Sequence, residues 1–263
     1  GEDSDAVPSS VHYINSIINH EKIIYDQISD KIEEAFKPQN YDCNFRLFSS
    51  EDIMGTKFPS IPLSRLKSLM PSSKLVLVIR NQLTCWPSWY HSHGSMLKNV
   101  PYSYWRKFVS FDDWSNYCFA FPYNSPCWGM NYWEHCRIFM DFFERKEIEV
   151  LIYEDFLHNR ERFVSQWAEI LEVPFHTLDD LLKDKQERVA RSKLEYYLHS
   201  LTKNYHIAQW LTKKLNILDP YMRQKLNYLD WNTKNKIKQF YKQGNRELER
   251  EFNLDLKRYG YPI

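Results

Sequence analysis

Five apolar residues in succession, Leu75 to Ile79, constrain the fold of this chain more than any other stretch. A strand buried on one face alternates apolar and polar residues, whereas an unbroken run of this length is typical of a strand covered on both faces. A second apolar run, IEVLIYEDF over Ile148–Phe156, follows after predicted helices. Strands separated by helices predict a parallel sheet flanked by helices, so the predicted fold class is α/β.

Helical spacing dominates the rest of the chain and predicts a helix-rich protein. Ser110 is a predicted N-cap, and Asp112 and Asp113 in the first turn favour a helix at that point. The other predicted elements are helices over Val11–Pro38, Pro62–Pro71, the strand end to about Leu97, Tyr132–Arg145 and the stretch from Asn159, with a short strand over Cys43–Phe48.

Length and charge fit one domain, predicted over residues 1–263. A chain of 263 residues is near the size at which a single core suffices. Residues 1–10 are small and acidic and are predicted to be frayed, and 180–263 is predicted to be mostly helical. A net charge of +1 argues against nucleic acid as a partner, although a local phosphate site stays compatible with it.

The cysteine and hydropathy patterns predict a cytoplasmic protein. No apolar run approaches the roughly 18 residues of a membrane span. Five cysteines form no CxxC pair, and their odd number means that at least one thiol is free or pairs outside this chain. The alternative is a lumenal domain whose membrane anchor was removed upstream.

Polar side chains follow the first apolar run directly. Arg80 ends the run, and Ser88 lies about two turns along the helix predicted next. Ligands of an open parallel sheet bind outside the carboxyl ends of its strands. A guanidinium offers two parallel donors and a hydroxyl a third, so the pair could clamp one phosphate dianion. The alternative is a surface arginine at a strand end and a helix serine bonded to its own backbone.

Three segments carry a resemblance to a known family. They are KLVLVIRN with Ser88 eight residues after Arg80, the Tyr-Glu-Asp at Tyr153 about 65 residues further on, and the terminal NRELEREFNLDLKRYGY. In this order and spacing they resemble the sulfotransferases that use 3′-phosphoadenosine 5′-phosphosulfate, from about Met54 to the C-terminus. The resemblance implies a P-loop-like α/β fold in which Arg80 and Ser88 hold the 3′-phosphate and Tyr153 packs near the adenine.

The family's catalytic residues are matched only in part. The stretch GTKFPSIPL keeps Lys57, which the resemblance implies as a donor to the bridging oxygen, but it lacks the histidine that serves as base in cytosolic members. His91 and His135 are the nearest candidates for a base, with a structural histidine as the alternative. The basic-basic-glycine element of some members is also missing, and Arg191 and Ser192 in RVARSK are its predicted substitute unless they form a solvated face.

Two further departures concern the phosphate-binding elements. Gln82 replaces the family's proline after Arg-Asn, and Pro87 stands just before Ser88. The six glycines form no glycine-rich loop of the kind that wraps the 5′-phosphosulfate. We therefore expect the N-terminal strand and loop to lie upstream of this sequence; the alternative is a lineage that lost both, and catalysis with them.

The predicted activity is transfer of a sulfuryl group from 3′-phosphoadenosine 5′-phosphosulfate to a hydroxyl or amine, with adenosine 3′,5′-bisphosphate as product. Aromatic residues from Tyr102 to Phe143 suggest a small apolar or phenolic acceptor, or a stacked sugar. The alternatives are a catalytically inactive module that binds nucleotide or a partner protein, and a small-molecule kinase of related architecture.

Other candidate chemistry has simpler explanations. His91 and His93 lack further ligands at metal-binding spacing, so no metal is predicted. Glu154 and Asp155 form a carboxylate pair, but capping and a salt bridge explain them more simply than acid–base catalysis does.

Overall fold

The computed structural model describes residues 25–26, 30, 47, 52–55, 59–90, 109–183, 198, 201–202, 207, 210–211, 214 and 229–263. Within these ranges, helices predominate and two strands form one small parallel sheet, which confirms the predicted α/β class. The strands are β1 (Leu75–Ile79) and β2 (Ile148–Ile152). The helices are α1 (Asp52–Gly55), α2 (Ser60–Leu69), α3 (Gln82–Trp89), α4 (Phe111–Ala120), α5 (Pro126–Gly129), α6 (Tyr132–Met140), α7 (Tyr153–His158), α8 (Arg160–Leu171), α9 (Phe175–Leu182) and α10 (Trp231–Phe252).

Most predicted elements in the described ranges are confirmed, but two of them end early. The predicted helix from Tyr132 ends at Met140, because Glu144 and Glu147 form a capping box that starts a separate 3-10 turn before β2. The second apolar run leaves the sheet at Ile152, and its last residues form the start of α7. Apart from single residues, the predicted elements before Asp52 lie outside the described residues.

The chain divides into two compact units. The first comprises Gly1–Val78 and Asn131–Leu151, and the second comprises Ile79–Met130 and Ile152–Ile263. A single domain over 1–263 stays a prediction.

The first unit has an apolar core that includes α2, α6 and most of both strands. Leu63 and Ile148 are fully buried, and Leu66 packs against Tyr25 and Ile53. At its edge the Lys67 ammonium lies 2.8 Å from a Glu147 carboxylate oxygen. This contact ties the end of α2 to the turn that precedes β2.

The second unit has a core built around Trp86 of α3. Its ring stacks on Phe119 at 4.9 Å and meets Trp114 edge-on at 5.5 Å. The buried indole nitrogen donates to the Ser115 hydroxyl at 3.0 Å, so burying this polar atom carries little cost. Tyr241 of α10 contacts the same ring, with the centroids 6.2 Å apart. Helix α3 is therefore fixed by packing on the face that carries Trp86.

The N-cap predicted at Ser110 is confirmed. The Ser110 hydroxyl accepts the backbone N–H of Asp113, and Asp112 and Asp113 occupy the first turn of α4. Replacing Ser110 with alanine should lower the free energy of unfolding by about 1 kcal/mol, because one helix N–H loses its partner. Urea denaturation measures this loss, and Ser110→Thr is the control that keeps a hydroxyl. An equal loss in both variants would contradict the capping role.

Candidate functional site

Polar residues directly follow both strands, and within the second unit they meet. Asn81 comes two residues after Ile79, and Tyr153 and Glu154 open α7 immediately after β2. The backbone N–H of Asn81 donates to the Glu154 carboxylate at 2.9 Å. The two carboxyl ends therefore lie together, which is where an open parallel sheet binds its ligands.

A surface cleft of about 470 Å³ opens at this position. This volume falls in the range of sites that bind small molecules. The lining contains two guanidinium groups and one carboxylate, so positive charge prevails. The lining residues are Arg80, Asn81, Thr84, Glu154, Leu157, His158, Arg258 and Tyr259.

Arg80 contributes its guanidinium from the end of β1. Its Nε donates to the Thr84 hydroxyl at 3.3 Å, and its guanidinium carbon lies 5.1 Å from the centroid of the Tyr153 ring. The ring favours a cation in this position, and the hydroxyl orients it. The structure thus brings together the predicted phosphate ligand Arg80 and the predicted adenine neighbour Tyr153.

Thr84 stands one turn before Ser88 on the same face of α3. Ser88 is exposed on this helix, and among the described residues Thr84 rather than Ser88 lines the cleft. The roles of Arg80 and Ser88 as phosphate ligands stay predictions. Thr84 was not predicted as a site residue from the sequence, although it lies in the first turn of the helix that follows Arg80.

Asn81 links three segments through its backbone and side chain. Its Oδ1 accepts the N–H of Leu83 at 2.9 Å and caps α3, and its Nδ2 donates to the Tyr259 carbonyl at 2.8 Å. Its own N–H is bound by Glu154. No role for Asn81 was predicted from the sequence, although an asparagine between a strand and a helix is itself an N-cap signal.

The two carboxylates of α7 are buried and hydrogen-bonded. Glu154 is 5% exposed, and its second oxygen accepts the Tyr261 hydroxyl at 2.7 Å. Asp155 is fully buried, accepts the Tyr259 hydroxyl and lies 3.7 Å from the Arg162 guanidinium. These contacts indicate a structural role for the two carboxylates, because each accepts hydrogen bonds from other segments of the chain.

A C-terminal 3-10 turn, Lys257–Tyr259, brings Arg258 into the cleft. Glu249 of α10 accepts the N–H groups of Leu256 and Lys257, and Gly260 ends the turn at a φ of 69°, which glycine adopts without strain. Burial and the hydrogen bond to Asp155 raise the pKa of the Tyr259 phenol, so it is a protonated donor at neutral pH. Arg258 was missed as a cleft residue, although Lys257, Arg258 and Gly260 stand close together in the sequence.

Comparison with protein families identifies the chain. The model of the sulfotransferase domain matches residues 16–250, which is more than half of the sequence. This chain belongs to the sulfotransferase domain family. No curated protein and no solved structure matches it significantly.

In this sulfotransferase domain, Gln82 has a definite structural role. Its amide exchanges two hydrogen bonds with Asn245 of α10, at 2.9 and 3.1 Å, and both side chains are almost completely buried. The Asn245 amide also donates to the Pro262 carbonyl at 2.8 Å. The residue that departs from the family's proline thus fastens α3 to α10 and to the last residues of the chain.

Of the other predicted site residues, four are not among the residues that the structure describes, and the fifth lies in the first unit. Lys57, His91, Arg191 and Ser192 lie outside the described residues, so their roles stay predictions. His135 is fully buried on α6 in the first unit, with its ring 6.2 Å from Phe139, which fits the structural alternative.

Thiol, metal and membrane features add no further site in the described part of the domain. Its four cysteines, Cys85, Cys118, Cys127 and Cys136, are buried and free of disulfides. Burial raises the pKa of Cys136 to about 12 and that of Cys118 further, so neither is a ready thiolate. Across the same residues, no cluster of metal ligands occurs and no helix has the length and hydropathy of a membrane span.

Proposed function

We propose that this domain transfers a sulfuryl group from 3′-phosphoadenosine 5′-phosphosulfate to a hydroxyl or amine of an acceptor. The observation that supports the proposal is the cationic cleft at the carboxyl ends of β1 and β2, in a member of the sulfotransferase domain family. Arg80 and Arg258 together carry more charge than the lining carboxylate Glu154, whose two oxygens already accept hydrogen bonds. Such a lining suits a phosphate.

We assign the residues the following roles. Arg80 binds the 3′-phosphate of the nucleotide, assisted by Thr84 and Arg258 in the cleft and by Ser88 one turn beyond Thr84. Tyr153 faces the adenine. A guanidinium and a hydroxyl supply directed donors to phosphate oxygens, and a second guanidinium adds charge and further donors.

Chemistry is expected at the other end of the nucleotide. In-line attack by the acceptor would displace adenosine 3′,5′-bisphosphate, and the protein would contribute positioning and neutralisation of the leaving group. We assign Lys57 to donation toward the bridging oxygen and His91 to the base. Arg191 and Ser192 are assigned as additional phosphate contacts. The proposed acceptor is small, with a hydroxyl or amine on an apolar or aromatic body.

Isothermal calorimetry with two nucleotides tests the donor assignment. Adenosine 3′,5′-bisphosphate should bind at least 10-fold more tightly than adenosine 5′-monophosphate, because only the former carries the phosphate that the cleft is proposed to hold. The preference should shrink as salt is raised from 50 to 500 mM, since the cleft is open to solvent. Absence of heat with both nucleotides would contradict the donor assignment.

A turnover assay distinguishes an active enzyme from a nucleotide-binding module that has no activity. Transfer of label from the sulfuryl donor to a panel of phenols, amines and sugars is expected for an enzyme. Tight binding of adenosine 3′,5′-bisphosphate without transfer, both in this chain and in one extended at its N-terminus, would favour the module. Transfer of phosphate from adenosine triphosphate would instead indicate a kinase.

A further inference from the structure

The C-terminal turn is fastened to the same residues that follow the two strands. Asn81 donates its amide to the Tyr259 carbonyl, the Tyr259 hydroxyl donates to Asp155, and the Tyr261 hydroxyl donates to Glu154. The side chains of Asn81, Glu154 and Asp155, which bind these tyrosines, are each at least 95% buried, so their polar groups have fixed positions. The turn is therefore held by groups that cannot easily reorient.

The Tyr259 ring also lies beside an arginine of the turn and a histidine of α7, both of which line the cleft. The Arg258 guanidinium carbon lies 5.5 Å from the centroid of its ring. The imidazole of His158 lies nearly parallel to the same ring, with an interplanar angle of 15° and the centroids 6.4 Å apart. The orientation of one phenol ring thus sets the surroundings of the Arg258 guanidinium and of the His158 imidazole.

We infer that Tyr259 and Asp155 form a positioning pair that holds Arg258 in place to bind the 3′-phosphate. Neither member of the pair needs to touch the phosphate. Without the hydrogen bond, the ring could rotate and the solvent-exposed Arg258 would sample more rotamers, so binding would require more ordering. This inference rests on the proposed function, because it concerns the phosphate assigned to the same cleft.

Tyr259→Phe tests the pair, since it keeps the ring and removes only the hydroxyl. The variant should bind adenosine 3′,5′-bisphosphate roughly 5- to 15-fold more weakly than the wild type, the usual effect of one hydrogen bond. Its affinity for adenosine 5′-monophosphate should not change, because that nucleotide lacks the phosphate that Arg258 binds. A purely structural role would lower the thermal midpoint but leave the ratio of the two affinities as it was.

A double-mutant cycle shows whether Tyr259 acts through Arg258. Arg258→Ala alone should weaken adenosine 3′,5′-bisphosphate binding more than Tyr259→Phe does. Adding Tyr259→Phe to Arg258→Ala should then cause less than a 2-fold further loss, because the positioned group is already gone. Tyr261→Phe is the matched control: it removes the neighbouring hydroxyl bond to Glu154 and should lower stability without changing nucleotide preference.

The results of these binding experiments test the positioning pair and the donor assignment separately. If the wild type binds adenosine 3′,5′-bisphosphate and Tyr259→Phe binds it equally well, or if the two substitutions are additive, the positioning pair is overturned. If the wild type binds neither nucleotide, the donor assignment is contradicted, and inorganic pyrophosphate becomes the probe. Weaker pyrophosphate binding by Tyr259→Phe then supports the pair, whereas equal binding, or none by the wild type, overturns it.

Discussion

Replacing Arg80 with alanine should weaken binding of adenosine 3′,5′-bisphosphate about 100-fold, which corresponds to about 2.8 kcal/mol. The loss is expected to be this large because a guanidinium makes charge-assisted, bidentate hydrogen bonds to a phosphate. Arg80 is half-buried and already oriented by Thr84 and the Tyr153 ring, so little ordering is needed when the ligand binds. Isothermal calorimetry of the wild type and the variant measures the difference.

Two other variants show whether this loss is specific. Ser88→Ala should cost less than Arg80→Ala by roughly 1 to 2 kcal/mol, since a hydroxyl makes one neutral hydrogen bond. Arg250→Ala is a matched control in the same unit: this arginine is exposed on α10, pairs with Glu247 and should leave binding unchanged. A loss below 5-fold for Arg80→Ala, or a larger loss for Ser88→Ala, would contradict the assignment of Arg80.

Local patterns predicted the first strand better than the second because their signals differ in kind. β1 consists of five apolar residues between polar ones, and its observed bounds match that run. The second run, by contrast, continues past Ile152 into Tyr-Glu-Asp-Phe without a turn or breaker residue, yet these residues form the start of α7. Glu154 is stabilised there by donors 73 and 107 residues away, and no pattern within the run contains that information.

Local sequence patterns also predicted only part of the candidate site. Arg80 could be placed by sequence because it follows a recognisable strand, and the family resemblance added Tyr153. Arg258 could not, since it reaches the cleft through a bond between Asn81 and Tyr259, which are 178 residues apart. Sequence spacing predicted what each strand end carries, but tertiary hydrogen bonds decide which distant segment completes the cleft.

Replacing Glu154 with alanine should lower the free energy of unfolding by roughly 2 to 5 kcal/mol. Its two oxygens accept the Asn81 N–H and the Tyr261 hydroxyl, and the side chain is 5% exposed. Each buried donor left without a partner costs about 1 to 3 kcal/mol, which is a large part of the 5 to 15 kcal/mol that stabilises a typical domain. Urea denaturation followed by circular dichroism measures the change.

Glu154→Gln separates this structural role from acid–base catalysis. The amide keeps one acceptor oxygen but presents N–H to the second donor, so we expect an intermediate loss of about 1 to 2 kcal/mol. If Glu154 is structural, turnover by the folded fraction of this variant stays within a few-fold of the wild type. A variant with wild-type stability and no turnover would instead identify Glu154 as a base, and the buried carboxylate would then have to exchange its two hydrogen bonds for contact with the acceptor. Because the Tyr261 hydroxyl belongs to a side chain that is only 4% exposed, that exchange would require the C-terminal segment that carries Tyr261 to leave its place.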